Sequence, residues 1–205
     1  MVKIKFTKGE LKRQRDDLKQ FARYLPTLQL KKQQLQLEIL QLSSTLEAKK
    51  QIQLKKKQAI NLWVGLLSDT SFNLVEYLKP QTANTSLKNI AGVDIPIFEG
   101  IEFINPDYDL FITPLWLDHA IVAFREVIIL GKEIDLIQES VNILKQELRI
   151  TAQRVNLFEK VKIPFAQENI RLIKIYIGDQ LANAVGRSKI AKRKIEDLYL
   201  EEVAA

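Results

Sequence analysis

From Leu11 onward, apolar side chains recur in alternating steps of three and four: Leu11, Leu18, Phe21, Leu25, Leu28, Leu35, Ile39, Leu42 and Leu46, then Ile60, Trp63 and Leu67. A seam with a 3.5-residue period predicts a helix that buries one narrow face against another helix in a left-handed coiled coil. Polar residues interrupt the seam at Gln14, Lys32, Lys49, Gln53 and Lys56. Such breaks weaken it locally and favour one register, because a misaligned partner would have to bury them. Pro26 lies inside the pattern, where its missing N–H predicts a kink or a helix restart. A helix from residue 8 to residue 67 would run about 90 Å at 1.5 Å per residue, which predicts a rod.

The pattern changes between residues 68 and 118. Ser68 to Ser71 offers a helix stop or a new cap, and Phe72 to Leu78 reads as a short helix. Pro80, Asn84, Thr85, Ser86 and Gly92 read as loop. Val93 to Ile104 is rich in β-branched and aromatic residues, and it predicts a short hairpin turning at Glu99-Gly100 with Pro96 at an edge position. Pro114 sits where a helix begins.

Helical periodicity then returns at Leu130, Ile134, Ile137, Val141, Leu144, Leu148, Thr151, Val155 and Phe158. Pro164 interrupts it, and Ala166, Ile170, Ile173, Ile177, Leu181 and Ala184 resume with a changed phase. The chain therefore reads as all-α: a long antiparallel two-helix left-handed coiled coil with a small middle insertion of a short helix and a β-hairpin. The expected divisions are an amino-terminal coiled-coil helix over 1–67, the insertion over 68–118 at the foot of the rod, and a carboxy-terminal helix and tail over 119–205.

Composition narrows the chemistry. Seven Gly and six Pro in 205 residues leave few cheap turns, in keeping with long helices. With no cysteine there is no disulfide framework, thiolate metal site or cysteine nucleophile, and the single His119 rules out paired-histidine sites. None of the glycines falls into a phosphate-cradling spacing. His119 follows Asp118, a pair that reads as capping or surface chemistry at a helix start. Adjacent carboxylates such as Asp16-Asp17 and Glu201-Glu202 diverge by about 100° on a helix and do not share a site. No catalytic, cofactor-binding or metal-ligating residue is assigned.

The net charge of +6 is uneven, because residues 1–60 hold 15 Lys or Arg against 5 acids. The run from Lys49 to Lys57 lacks the interleaved aromatics of single-strand binding, so it reads as a solvated lysine-rich stretch. Nucleic acid is not an expected partner. Lys3, Lys5, Lys8, Lys12, Arg13 and Arg15 would meet Arg187, Lys189, Lys192, Arg193 and Lys194 at one basic tip of an antiparallel hairpin. Trp63 and Trp116 flank the insertion as interface anchors or as core. The residues after Met1 are too charged for the apolar region of a secretory signal, and Ala120 to Leu130 is too short to cross a bilayer. A soluble or peripheral protein is expected.

Arg154-Val155-Asn156-Leu157-Phe158-Glu159-Lys160-Val161-Lys162-Ile163-Pro164 resembles the signature of the D-type shaft family of V-type rotary ATPases, of the form R-V-N-x-x-E-x-x-x-I-P followed by an isoleucine-rich helix. Ile170, Ile173 and Ile177 continue it, and Leu28 to Leu35 resembles the family's amino-terminal Leu-Leu-Lys-x-Lys-Arg stretch. The residues carrying the motif are Arg154, Val155, Asn156, Glu159, Ile163 and Pro164. The resemblance implies a non-catalytic central rotor shaft that couples ATP hydrolysis or synthesis to ion translocation. It implies as partners the catalytic A and B subunits, the F subunit and the d-type (C-type) subunit, with the membrane reached only through the complex and a cytoplasmic, peripheral location. A coiled-coil adaptor or scaffold is the alternative that the helical seams alone allow.

Overall fold

The computed structural model describes residues 5–65, 74–103 and 113–204. Helix α1 (Lys8–Asn61) is followed by α2 (Leu74–Leu78), strands β1 (Pro80–Ile90) and β2 (Val93–Phe103), helix α3 (Leu117–Leu157), a π-helix (Phe158–Lys162) and helix α4 (Ile163–Ala204). The all-α expectation with a hairpin in the middle holds. The residues separate into two units, one of 1–29 with 152–205 and the other of 30–151.

Helix α1 begins at a threonine cap. The Glu10 amide donates to Thr7 Oγ1 at 3.2 Å, which satisfies one of the helix's unpaired first-turn N–H groups. The helix then continues through Pro26 without a break, contrary to the expected kink or restart. Proline removes one backbone bond, and Thr27 Oγ1 donates to the Tyr24 carbonyl at 2.8 Å in the same turn. Every predicted seam residue from Leu11 to Trp63 is buried or half-buried, as are all five polar interruptions. The helix ends at Asn61, and the stop or cap expected at Ser68 to Ser71 lies outside the described residues.

In the unit of residues 30–151, α1 and α3 run antiparallel. Lys31 Nζ meets Glu147 at 2.8 Å, Lys49 meets Glu133 at 3.0 Å, and Lys56 meets Glu126 at 2.6 Å, so partner numbers fall as residue numbers rise. The lysine run is therefore only partly a solvated face, because Lys49 and Lys56 project onto carboxylates of α3. Gln53 lies over Gly131, where an added Cβ would come within 3.3 Å of its amide nitrogen. A polar side chain in the seam is thus matched to a small residue opposite it.

The hairpin differs from its expected form. Its turn is Ala91-Gly92, both at positive φ (52° and 79°), and the stretch read as loop over residues 80–90 is β1. Positive φ at both central residues is the requirement of a type I′ turn, whose twist matches the strands. Asn89 secures it, accepting from the Gly92 amide at 3.0 Å and donating to Asp94 Oδ1 at 2.6 Å. Glu99-Gly100 is instead a bulge: Asn84 pairs with Gly100 and Thr85 with Phe98, leaving Glu99 as the extra residue. The sequence pattern misled because glycine marks bulges as well as turns.

The hairpin packs along the helices of its unit. Ile90 and Ile95 form a core with Leu35 and Leu144, both of which are fully buried. Buried Ser140 of α3 donates to the Pro96 carbonyl at 2.9 Å. At the other end of the hairpin, Arg125 donates to the Tyr77 carbonyl at 3.1 Å and stacks over Phe103 at 4.9 Å. Trp63 is half-buried and meets Phe124 edge to face at 5.9 Å, so the structure gives it a packing role.

In the other unit, α1 pairs antiparallel with the π-helix and α4. Phe6 lies 5.1 Å from Tyr176 and Phe21 lies 5.3 Å from Phe158, while Asn169 donates to Gln14 at 3.3 Å. Val155, Ala166, Ile170 and Ile173 are buried there, but Leu181 and Ala184, expected on the same stripe, are exposed.

Candidate functional site

The family-like motif of residues 154–164 coincides with the π-helix. The Ile163 amide donates to the Phe158 carbonyl, five residues back instead of four. A π turn holds one residue more than an α turn. That residue accounts for the changed phase: alternating steps of four and three from Val155 would reach 165 and 169, whereas the resumed stripe falls at Ala166 and Ile170. The Pro164 ring has no N–H to donate, so the irregular turn sits immediately before the residue that could not continue an α ladder.

The six motif residues separate by environment. Val155 is buried and Ile163 half-buried, both toward α1. Arg154, Asn156, Glu159 and Pro164 are exposed. The motif does not assemble a pocket; it sets a helical phase and presents polar side chains outward. Beside them run exposed Leu157, Val161, Phe165, Leu172 and Tyr176, each between 37% and 54% accessible. Two successive four-residue steps, Leu157 to Val161 to Phe165, stay in line because the wide π turn accommodates more than four residues per revolution.

Near this face, Arg171 forms a two-pronged pair with Glu168, at 2.9 Å from Nε and 2.7 Å from a terminal nitrogen. The hydrogen bond from Arg171 holds the Glu168 carboxyl below the usual carboxylate range, against an opposing effect of desolvation. Sequence reading missed this pair, although its i,i+3 spacing is a recognisable signal.

Lys3 lies outside the described residues, and among the described ones the two basic clusters do not form one tip. Lys8, Lys12, Arg15 and Lys19 line a groove with Ile177, whereas Arg187 to Lys194 lie at least ten residues further along α4. The second helix outruns the first, and every described residue from Gly178 to Asp197 is exposed. This is also why Leu181 and Ala184 have no cover.

His119 and Asp118 are exposed in the first turn of α3. Among the described residues, no three or more His, Asp or Glu side chains converge as a metal site would require. No described helix is long and apolar enough to cross a membrane.

Comparison with known proteins agrees with the motif. A family model described as the D subunit of ATP synthase matches residues 10–193. The chain is 47% identical over 195 residues to the V-type ATP synthase D subunit of Borreliella burgdorferi, covering 95% of this chain and 96% of that protein. It is 31% identical over 198 residues to the V-type ATP synthase D subunit of Chlamydia trachomatis serovar L2, covering 94% and 96%. The protein of the same name from Chlamydia caviae is 32% identical and covers 98% of each chain. With family-model and relative matches running through both helices and the hairpin between them, the chain belongs to the ATP synthase D-subunit family, a central-stalk component of V-type ATP synthases.

Proposed function

We propose that this chain is the non-catalytic rotor shaft of its complex, linking nucleotide chemistry in the catalytic head to ion translocation. The observation that carries the reading is the fixed register of the helix pair. Between α1 and α3 that register is set by Lys31–Glu147, Lys49–Glu133 and Lys56–Glu126. A helix pair that transmits torque must resist sliding, and charges spaced along one seam penalise each shifted alignment.

In this reading the A and B subunits surround the helices, the F subunit binds beside them, and the d-type (C-type) subunit joins the shaft to the membrane rotor. Residues 1–67 and 119–205 supply the shaft and 68–118 face its foot. The chain meets the membrane only through the complex, at its cytoplasmic side. The motif residues Arg154, Asn156, Glu159 and Pro164 serve as outward contacts, while Val155 and Ile163 hold the pair together. Coupling follows from differential contact: an asymmetric surface that favours a different state at each catalytic interface makes rotation and nucleotide occupancy depend on one another.

Co-expression with the A, B and F subunits tests the reading. A stable complex that retains this chain is expected, and absence of any such complex would overturn it.

A further inference from the structure

The two helix pairs hold their alignment by different means. Three lysine–glutamate pairs tie α1 to α3. Among the described residues no ion pair crosses between α1 and α4, because those of α4, Arg171–Glu168 and Lys192–Glu196, lie within that helix. What crosses is a neutral amide contact. Asn169 is 2% exposed, the one buried polar side chain described in that unit, and it donates to Gln14 Oε1 at 3.3 Å. Gln14 in turn donates to Glu10 Oε1 at 2.9 Å, so one polar chain runs from the seam to the first turn of α1.

Apolar packing alone leaves this alignment underdetermined. The α4 stripe of Ala166, Ile170, Ile173 and Ile177 continues through Leu181 and Ala184, which are exposed beyond the end of α1. A slide of one seven-residue repeat toward the free end of α4 would therefore still set apolar residues against apolar ones. The amides oppose it. That slide would place Gln14 opposite Tyr176 and Asn169 opposite Phe21, parting two polar groups that now satisfy one another. Ahead of Pro26, the first turns of α1 are tied to the rest of the helix by one backbone bond fewer, which leaves more of their placement to α4.

We propose that Asn169 is the positioning residue that sets the alignment of α4 on α1, and with it the placement of the length of α4 that extends past Ile177; its bearing on coupling rests on the shaft reading above. The amide contributes alignment and not stability, since a buried polar group in a helical seam specifies one register at some cost to the strength of the pair.

The chain has no cysteine, so paired cysteines and a short thiol cross-linker read the alignment directly. The Phe6 ring lies 5.1 Å from that of Tyr176, so Phe6→Cys with Tyr176→Cys reports the observed register. Phe6→Cys with Asn183→Cys reports the slid one. In the parent chain only the first pair should link. Adding Asn169→Leu should speed linking of the second pair about tenfold or more, with thermal stability unchanged or raised. Exchanging the two amides, Gln14→Asn with Asn169→Gln, keeps the contact and its volume and should give the parent pattern. An Asn169→Leu chain that links as the parent does, or that loses its fold, overturns the proposal. In the purified assembly that variant should hydrolyse ATP but drive less ion transport per ATP; a slid chain that couples as the parent does overturns the positioning role. Failure of the parent chain to join the A and B subunits would refute the shaft reading alone, since the cross-linking needs only the free chain.

Discussion

The Ile163 amide reaches back five residues to the Phe158 carbonyl, and this single wide turn decides which face of α4 meets α1. Deleting Val161 restores an ordinary α turn and rotates everything after it by about 100°. Ile170 and Ile173 then leave the interface, a loss of roughly 3–6 kcal/mol at 1.5–3 kcal/mol per buried side chain. Thermal unfolding of the deletion variant should show a large drop, with new proteolysis at Lys174. Pro164→Ala should change stability by less than about 1 kcal/mol, because the extra residue, and not the ring, sets the phase. A deletion that melts like the parent chain would refute this explanation.

Charge matching along the other seam makes a separate prediction. Lys49 and Glu133 are about two-thirds to three-quarters buried as side chains, whereas Lys56 and Glu126 are 40% and 51% exposed. In double-mutant cycles with Lys49→Glu and Glu133→Lys, each single reversal should destabilise and the double reversal should recover most of the loss, giving a coupling of about 0.5–1 kcal/mol. The Lys56–Glu126 cycle should give less and lose it first as salt is raised.

The hairpin turn can be tested where substitution is sterically clean. Gly92 has φ of 79° with nothing within 4 Å of an added Cβ, so Gly92→Ala reports the backbone penalty alone. A cost of about 1–2 kcal/mol is expected, seen as faster exchange of hairpin amides with the helix amides unchanged. Ser140→Ala should loosen the same hairpin by about 1 kcal/mol, because it leaves the Pro96 carbonyl without its donor. Equal exchange in parent and variant chains would count against both assignments.

Much of the fold is legible in the residues because helix pairing repeats. The seam from Leu11 to Trp63 and the stripe from Leu130 to Ile177 each state one fact many times, and each is buried or half-buried in the fold. The phase change after Phe158 is legible too, though its cause, a π turn, needs backbone geometry. What failed rested on single residues. Pro26 reads as a break but is accommodated, and Glu99-Gly100 reads as a turn although the chain reverses at Ala91-Gly92. Periodicity also says nothing of where one helix outlasts its partner, which is why the two basic clusters were expected to meet.

Titration offers a local check on the exposed face near the motif. Arg171 depresses the Glu168 carboxyl in the folded chain. The pair's contribution is therefore present above the unfolded pKa and is lost as pH falls through the lowered folded pKa. Carbon-detected NMR should find Glu168 titrating below an ordinary glutamate, and Arg171→Gln should return it to the ordinary value. An unchanged midpoint in that variant would show that the pair does not persist in solution.

Rotation is the measurement that bears most directly on the shaft reading. The chain has no cysteine, so Leu115→Cys, at a side chain that is 95% exposed, gives one attachment point for an optical probe. With the A and B subunits fixed to a surface, ATP should drive the probe in one direction, pausing at three positions per turn, one for each catalytic interface. A probe that stays still or only diffuses while ATP is being hydrolysed would contradict the account.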